Sequence, residues 1–269
     1  MQRTPPGNPA DAAPDAPGTA GSGADAAVSD LIAINVLLEP DAATKVLAAG
    51  LNAELRRGLA TSPAPDASGA ASDASGADGE SGGPFAFDET HLPHVTLVQR
   101  YVRRADLERV LAAVGEAAAG AEGEDLRLRA GDLGGGELGT PPGTVLASVE
   151  FEHSPAVRAL HDAVVRALAP FAAVGGSAEA FLALPGEPPA NTAIIAYVEE
   201  FVPAHAGEHY APHLSVGVAR KADVRRLART HPLAGAQVAP VAVAAAHLGD
   251  LGTAREVLGR WPLLRTQVG

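Results

Sequence analysis

The feature that most constrains the fold is an internal repeat, in which four segments of the first half of the chain return in the same order in the second half. The paired segments share a pattern of apolar and polar residues and begin at Leu31 and Thr144, His94 and His213, Arg104 and Lys221, and Leu126 and Val241. The offset between partners stays between 113 and 119 residues. We therefore predict two copies of a strand–helix–strand–helix–strand unit, related by a pseudo-twofold axis.

Helical segments follow the first strand of each copy. After Asp41, four leucines at intervals of four predict a helix with one buried face, formed by Leu47, Leu51, Leu55 and Leu59. In the second copy, Ser154 is typical of an N-cap and Pro155 of the first helical position. The glycine-rich stretch 131–136 lacks the spacing of a phosphate-binding loop, so we predict a turn there.

Two segments have a composition that does not predict a folded core. Residues 1–29 contain five prolines and almost no large apolar residues, which predicts a disordered N-terminal tail. Residues 60–84 consist mostly of Ala, Ser, Gly and Pro, which predicts a flexible insertion in one domain spanning 30–269. Half of the net charge of −12 lies in these two segments.

The composition excludes several classes of function. The 269 residues include no cysteine, which removes disulfides, thiol nucleophiles and thiolate metal sites. No stretch approaches the roughly 18 consecutive apolar residues of a membrane span. The net negative charge disfavours a protein that binds long nucleic acid through many phosphate contacts.

The repeat places the same short motif in both copies. The chain reads His-Val-Thr-Leu from residue 94 and His-Leu-Ser-Val from residue 213, each directly after a proline. Because alternate residues of a strand share a face, His94 is expected beside Thr96, and His213 beside Ser215. Two imidazoles supply an acid and a base near neutral pH, and two hydroxyls donate to phosphate oxygens. This set suits cleavage of a phosphodiester without a metal ion.

The paired motifs, about 120 residues apart in a duplicated chain, resemble those of the two-histidine (2H) phosphoesterase superfamily, which includes RNA 2′,3′-cyclic phosphodiesterases and bacterial 2′-5′ RNA ligases. The resemblance extends over residues 30–269. It implies an α/β fold of the α+β type, with two pseudo-symmetric lobes, each an antiparallel sheet with outer helices, and an active-site cleft between them. It also implies that His94 and His213 are catalytic and that Thr96 and Ser215 bind phosphate.

The expected reaction is metal-independent opening of a 2′,3′-cyclic phosphate to a monoester, with RNA ligation as its reverse. We expect no cofactor, a monomer in the cytoplasm, and a cyclic nucleotide or a short RNA with a cyclic phosphate end as the partner. Tyr210 and Tyr101 are candidates to stack on a base, with ordinary core packing as the alternative.

Two other functions remain open at this stage. His91, His94, His205 and His209 have spacings that a metal-dependent hydrolase could use, although Pro203 and Gly207 favour a solvated loop around the last two. The second alternative is a nucleotide- or RNA-binding module of the same fold without catalysis. His161 lies at helical spacing between apolar residues and is expected to be structural.

Overall fold

The computed structural model describes residues 29–60, 85–88 and 90–263. The predicted disordered tail and low-complexity insertion lie outside the described residues, apart from the boundary residues Ser29 and Ala60. None of the helices in the described ranges combines the length and apolar character that crossing a membrane requires.

The described chain forms one antiparallel sheet with helices packed on it. Its strands are β1 Leu31–Pro40, β2 Val95–Arg103, β3 Leu128–Gly136, β4 Thr144–Phe151, β5 His213–Arg220, β6 Gln237–Val238, β7 Pro240–Leu248 and β8 Ala254–Pro262. Its α-helices are α1 Ala42–Ala60, α2 Leu107–Ala119, α3 Pro155–Leu168, α4 Thr192–His205 and α5 Lys221–Leu227. The strand order is β6-β3-β4-β5-β2-β1-β7-β8, which confirms the predicted α+β class.

The third strand of each repeat lies in the half of the sheet built by the other repeat. β3 follows β1 and β2 along the chain, yet it pairs with β4. β7 follows β4 and β5, yet it pairs with β1. One half of the sheet is therefore β2-β1-β7-β8, the other is β5-β4-β3-β6, and the halves meet between β2 and β5.

The helices also reach across the repeat boundary. α1, from the first copy, packs on β5, and α4, from the second copy, packs on β2. α3 packs on both β2 and α2. Both central strands therefore receive a helix from the opposite repeat.

The buried face of α1 differs from the predicted one. Thr44, Ala48, Leu51 and Leu55 are buried, whereas Leu47 is 37% exposed and Leu59 is only half-buried. A strict spacing of four advances about 40° around a helix at each step, because the helix has about 3.6 residues per turn. Four leucines at that spacing therefore drift off one face, and the outer two lie at its edges.

The turn predicted over residues 131–136 was wrong, because β3 continues through Gly136. Gly135 pairs with Ala147, and a Cβ atom at Gly135 would lie 2.9 Å from the carbonyl oxygen of Leu146. Gly135 therefore allows close contact between strands and does not reverse the chain.

The loop predicted around Pro203 was also wrong for its first part. α4 begins after Asn191, whose side chain accepts the backbone N–H groups of Ala193 and Ile194, and it ends at His205. Pro203 lies near the helix end, so the missing N–H weakens only the last turn. His209 lies beyond it in a short 3₁₀ turn.

Candidate active site

The two motif histidines lie where the halves of the sheet meet. β2 and β5 pair only at Val95 and Leu214, the residues that directly follow His94 and His213. The two imidazoles are close enough that His213 helps to lower the pKa of His94. The fold thus brings one histidine from each repeat to one place.

Both histidines are fixed by the same backbone contact. The Nδ1 atom of His94 lies 2.8 Å from the carbonyl oxygen of Leu92, and the Nδ1 atom of His213 lies 3.0 Å from that of Ala211. A carbonyl only accepts, so each Nδ1 carries the hydrogen and donates it. In a neutral ring this places the lone pair of both histidines on Nε2, the nitrogen that exchanges a proton in acid–base chemistry.

A β-bulge follows the hydroxyl residue in both strands. The register between β1 and β2 passes from Val98 to Thr96 and skips Leu97. The register between β4 and β5 passes from Gly217 to Ser215 and skips Val216. Bulges redirect side chains and are common near active sites. The equivalent position of the two bulges shows that the repeat extends to local geometry.

Side chains from other elements hold both bulges. His161 of α3 donates from Nδ1 to the carbonyl oxygen of Leu97 at 2.7 Å. Asn52 of α1 donates from Nδ2 to the carbonyl oxygen of Val216 at 2.8 Å. Each bulged carbonyl is therefore satisfied by a helix of the other repeat, which ties the motif strands to the surrounding core.

The environments of the two histidines differ. His94 is 9% exposed, and its Nε2 atom lies 2.9 Å from Nδ2 of Asn35. The same Nδ2 atom lies 3.3 Å from the hydroxyl of Thr96. Burial, the largest cause, lowers the pKa of His94 to about 4. His213 and Ser215 are only half-buried.

The two candidate stacking tyrosines are packed inside the protein. Tyr210 is 4% exposed, its ring stacks on His161, and its hydroxyl donates to the carbonyl oxygen of Thr96 at 2.9 Å. Tyr101 is 1% exposed and donates to the carbonyl oxygen of Ile195. These contacts fit the packing alternative, with both rings turned into the core rather than open to a ligand.

His91, His205 and His209, the other histidines considered as metal ligands, lie outside the two motifs. His91 is buried against Phe85 and Phe87, and burial lowers its pKa to about 3. At the end of α4, His205 has a pKa lowered by burial and by His213, while His209 is exposed. Within the described ranges, no group of three or more His, Asp or Glu side chains is arranged to hold a metal ion.

Asn35 and Asn52 contact the site and were not predicted from the sequence. Asn35 is the only polar residue in the apolar run that forms the first eight residues of β1, and this isolated amide in a buried strand is a usable signal. Asn52 lies among the apolar residues of α1, directly beside Leu51 on the buried face. An amide buried in a strand or helix needs partners, which here are the two motifs.

Comparison with known protein families identifies the family of this chain. The family model described as the 2′-5′ RNA ligase superfamily matches residues 63–251, well over half of the chain. The matched range contains both histidine motifs. A comparison with curated proteins finds no match.

Proposed function

Because the chain belongs to the 2′-5′ RNA ligase superfamily, whose members are 2H phosphoesterases, we propose that it hydrolyses a 2′,3′-cyclic phosphate to a phosphomonoester. The observation that carries the proposal is the matched pair of histidines at the junction of β2 and β5. Each donates Nδ1–H to the carbonyl two residues earlier, so Nε2 is the ring nitrogen that can gain or lose a proton. Acid and base are then supplied from opposite repeats.

The proposed reaction balances with these groups alone. One imidazole takes a proton from water as the water oxygen bonds to phosphorus. The other ring begins as an imidazolium and gives its Nε2 proton to the ribose oxygen as the bond from that oxygen to phosphorus breaks. The hydroxyls of Thr96 and Ser215 donate to the non-bridging oxygens, where negative charge is concentrated. Run backwards, the same groups join a ribose hydroxyl to a cyclic phosphate, which is RNA ligation.

The proposed substrate is a small one, a cyclic nucleotide or a short RNA with a cyclic phosphate end. The chain carries a net charge of −12, so long-range attraction of a polyanion is unfavourable. A single phosphate held by two neutral hydroxyls and two histidines does not need such attraction.

The test is turnover of 2′,3′-cyclic nucleotides and of short oligonucleotides with a cyclic phosphate end, with the product phosphate assigned by phosphorus NMR. We expect a monoester product whose rate of formation falls by about 10²–10⁴-fold when His94 or His213 is replaced by Ala. Binding without turnover, unaffected by either substitution, would instead support the non-catalytic binding module.

The metal-dependent alternative has its own discriminating measurement. It requires His91, His94, His205 and His209 to act as ligands, but the described residues include no group of three or more such side chains placed to hold a metal ion, and the His91 ring packs against Phe85 and Phe87. We expect turnover to persist after dialysis against a chelator. Loss of turnover that zinc restores would favour the metal enzyme.

A further inference from the structure

Asn35 lies at the centre of the buried face that carries the first motif. It is fully buried in β1 and contacts both His94 and Thr96 through one nitrogen atom. An amide nitrogen only donates, and Nδ2 has two hydrogens. One points to Nε2 of His94 and the other to the hydroxyl oxygen of Thr96, so a single side chain orders both members of the motif.

The direction of these two hydrogen bonds defines the tautomer of His94 and the role of the Thr96 hydroxyl. Nε2 of His94 must accept, and Nδ1 already donates to Leu92, so the ring is neutral with its lone pair on Nε2. The hydroxyl oxygen of Thr96 accepts from Asn35, which leaves its own hydrogen free for a phosphate oxygen. Asn35 therefore holds His94 in the tautomer whose lone pair is on Nε2, and it leaves the hydrogen of Thr96 free for a phosphate oxygen.

The oxygen of the same amide can accept a hydrogen bond after His94 is protonated. Oδ1 of Asn35 is buried and has no hydrogen-bond partner among the described residues. Nε2 of His94 has one lone pair, and the bond from Nδ2 occupies it, so this bond must break before Nε2 can take a proton. Once protonated, Nε2 is a donor and opposes the Nδ2 hydrogens. A half-turn of the amide brings Oδ1 to Nε2, where it accepts the new hydrogen. The two amide orientations match the two protonation states of His94.

The second repeat has no equivalent of this amide. In the sheet, Asn35 pairs with Gln99, three residues after Thr96, and the corresponding pair in the second repeat is Leu146 with Val218, three residues after Ser215. His213 has its Nδ1 bond to Ala211 and is half-buried. The pseudo-twofold symmetry is therefore broken at this residue, and only one of the two histidines is held by a buried amide.

We propose that Asn35 is a positioning residue that holds His94 as the neutral proton acceptor for hydrolysis and follows its protonation by rotating its amide. The acid–base assignment rests on the proposed function, with His213 as the proton donor. The titratable groups that act on His94 or are acted on by it are His213 on β5 and His91 in the segment before β2. Neither group is a carboxylate that would stabilise protonated His94. Asn35 is therefore the side chain whose hydrogen bond to Nε2 differs between neutral and protonated His94.

The first experiment uses the wild-type protein with labelled histidine and asparagine nitrogens. We expect a scalar coupling across the hydrogen bond between Nδ2 of Asn35 and Nε2 of His94 above the pKa of His94, and its loss below that pKa. A neutral Nε2 nitrogen that shows no such coupling and has the shift of a free imidazole nitrogen would overturn the proposal. This measurement needs no variant and no substrate.

The second experiment changes the partner of Nε2. Asn35→Asp places a carboxylate against the ring, which should raise the pKa of His94 by about 1–3 units, because a nearby opposite charge favours the protonated form. The acidic limb of kcat/KM for 2′,3′-cyclic AMP should move to higher pH by the same amount. Should the pKa of His94 in this variant equal that of the wild type, the proposal fails.

Gln99→Met is the matched control. Gln99 is also a buried amide, 4% exposed, and pairs in register with Asn35, but it bonds neither histidine. We expect its substitution to leave the pKa of His94 unchanged. If Asn35→Asp does not fold, Asn35→Leu removes the donor at similar size and should move the Nε2 resonance towards that of a free imidazole. An unmoved resonance contradicts the proposal.

Failure of the proposed function gives a different result. If no cyclic phosphate is hydrolysed but the pKa of His94 follows the residue at position 35, the positioning role stands and the reaction is wrong. If turnover occurs and His94 does not respond, the reaction stands and the role of Asn35 is wrong.

Discussion

The imidazole of His161 stacks on the phenol ring of Tyr210, with ring centroids 3.9 Å apart and planes 11° apart. The two side chains satisfy consecutive carbonyl groups of the first motif, Tyr210 at Thr96 and His161 at Leu97. The backbone of the first motif is therefore supported by a pair of rings from the second repeat, and the pair should behave as one unit.

His161→Leu should lower the free energy of unfolding by about 1–3 kcal/mol, because it leaves the buried carbonyl of Leu97 without a donor. Tyr210→Phe should lower the free energy of unfolding by about 1 kcal/mol, because it removes one hydrogen bond. Since the rings are in contact, the double variant should depart from the sum by at least about 0.5 kcal/mol. Urea denaturation measures all three, with exposed His153→Ala as the control. Strict additivity would show that the rings act independently.

His94→Ala and His213→Ala should each lower kcat by about 10²–10⁴-fold, the usual contribution of a general acid or base. If both proton transfers occur in one transition state, the double variant should be far more active than the product of the two losses implies. Steady-state kinetics on folded protein checks this. Near wild-type turnover in either single variant would remove that histidine from the reaction.

Thr96→Val and Ser215→Ala should each reduce kcat/KM by about one to two orders of magnitude, because a hydrogen bond to a charged group contributes about 1.5–3 kcal/mol. Ser215 is half-buried, so Ser215→Ala should change folding little, whereas Thr96→Val leaves a hydrogen of the buried Asn35 amide without an acceptor and should lower the free energy of unfolding by about 1–3 kcal/mol. The measurement is kcat/KM on 2′,3′-cyclic AMP together with a thermal melt. If both values of kcat/KM stay at the wild-type level, neither hydroxyl contacts the phosphate.

Gly217→Ala should destabilise the protein by more than about 1 kcal/mol, because φ is +136° at Gly217. A Cβ atom there would also lie 2.7 Å from Nδ2 of Asn52, which holds the carbonyl of Val216. We expect a shifted bulge, and therefore a lower kcat as well. Gly136→Ala is the matched control, since a Cβ atom at that strand glycine meets nothing within 4 Å. Equal stability of the two variants would contradict this view of the bulge.

Stability should fall as the pH drops below about 6.5, the ordinary pKa of histidine. Burial lowers the pKa of His91 to about 3 and that of His94 to about 4. The unfolded chain therefore binds protons that the folded chain does not, and each histidine adds a slope of about 1.4 kcal/mol per pH unit until its folded pKa is reached.

Denaturation at about pH 7 and about pH 5 measures this slope. His91→Phe removes one titrating group from a pocket that already contains two phenylalanines, so the slope should decrease. A slope unchanged by this substitution would mean that His91 does not contribute to the pH dependence.

The repeat made the order of elements predictable, because matched patterns at a nearly constant offset predict matched structure. β4 and the N-cap of α3 at Ser154 were predicted at the residues where they occur. The pairing of β3 with β4 was not predictable in the same way. The residue pattern along the chain indicates which segments are strands, but it does not indicate which strands pair with each other.

In the candidate site, too, some residues were predictable from the repeat and others were not. His94 and His213 were found because both copies carry the motif, whereas Asn35 has no counterpart in the second copy and a repeat search passes over it. Its role depends on a hydrogen bond across 59 residues of sequence, which only the fold reveals.

The position of β3 and β7 has a consequence for how such a protein can be divided. In each repeat, the first two strands pair with each other, but the third strand pairs with the first strand of the other repeat. Of two separate fragments cut between β3 and β4, the first would hold β3 without either of its partners, and the second would hold β7 with β8 but without β1. The fragments should therefore complete the sheet only when mixed. By the same reasoning, a single-repeat ancestor would have reached this architecture as a homodimer that exchanged its last strands, and later fusion would have made that exchange permanent within one chain.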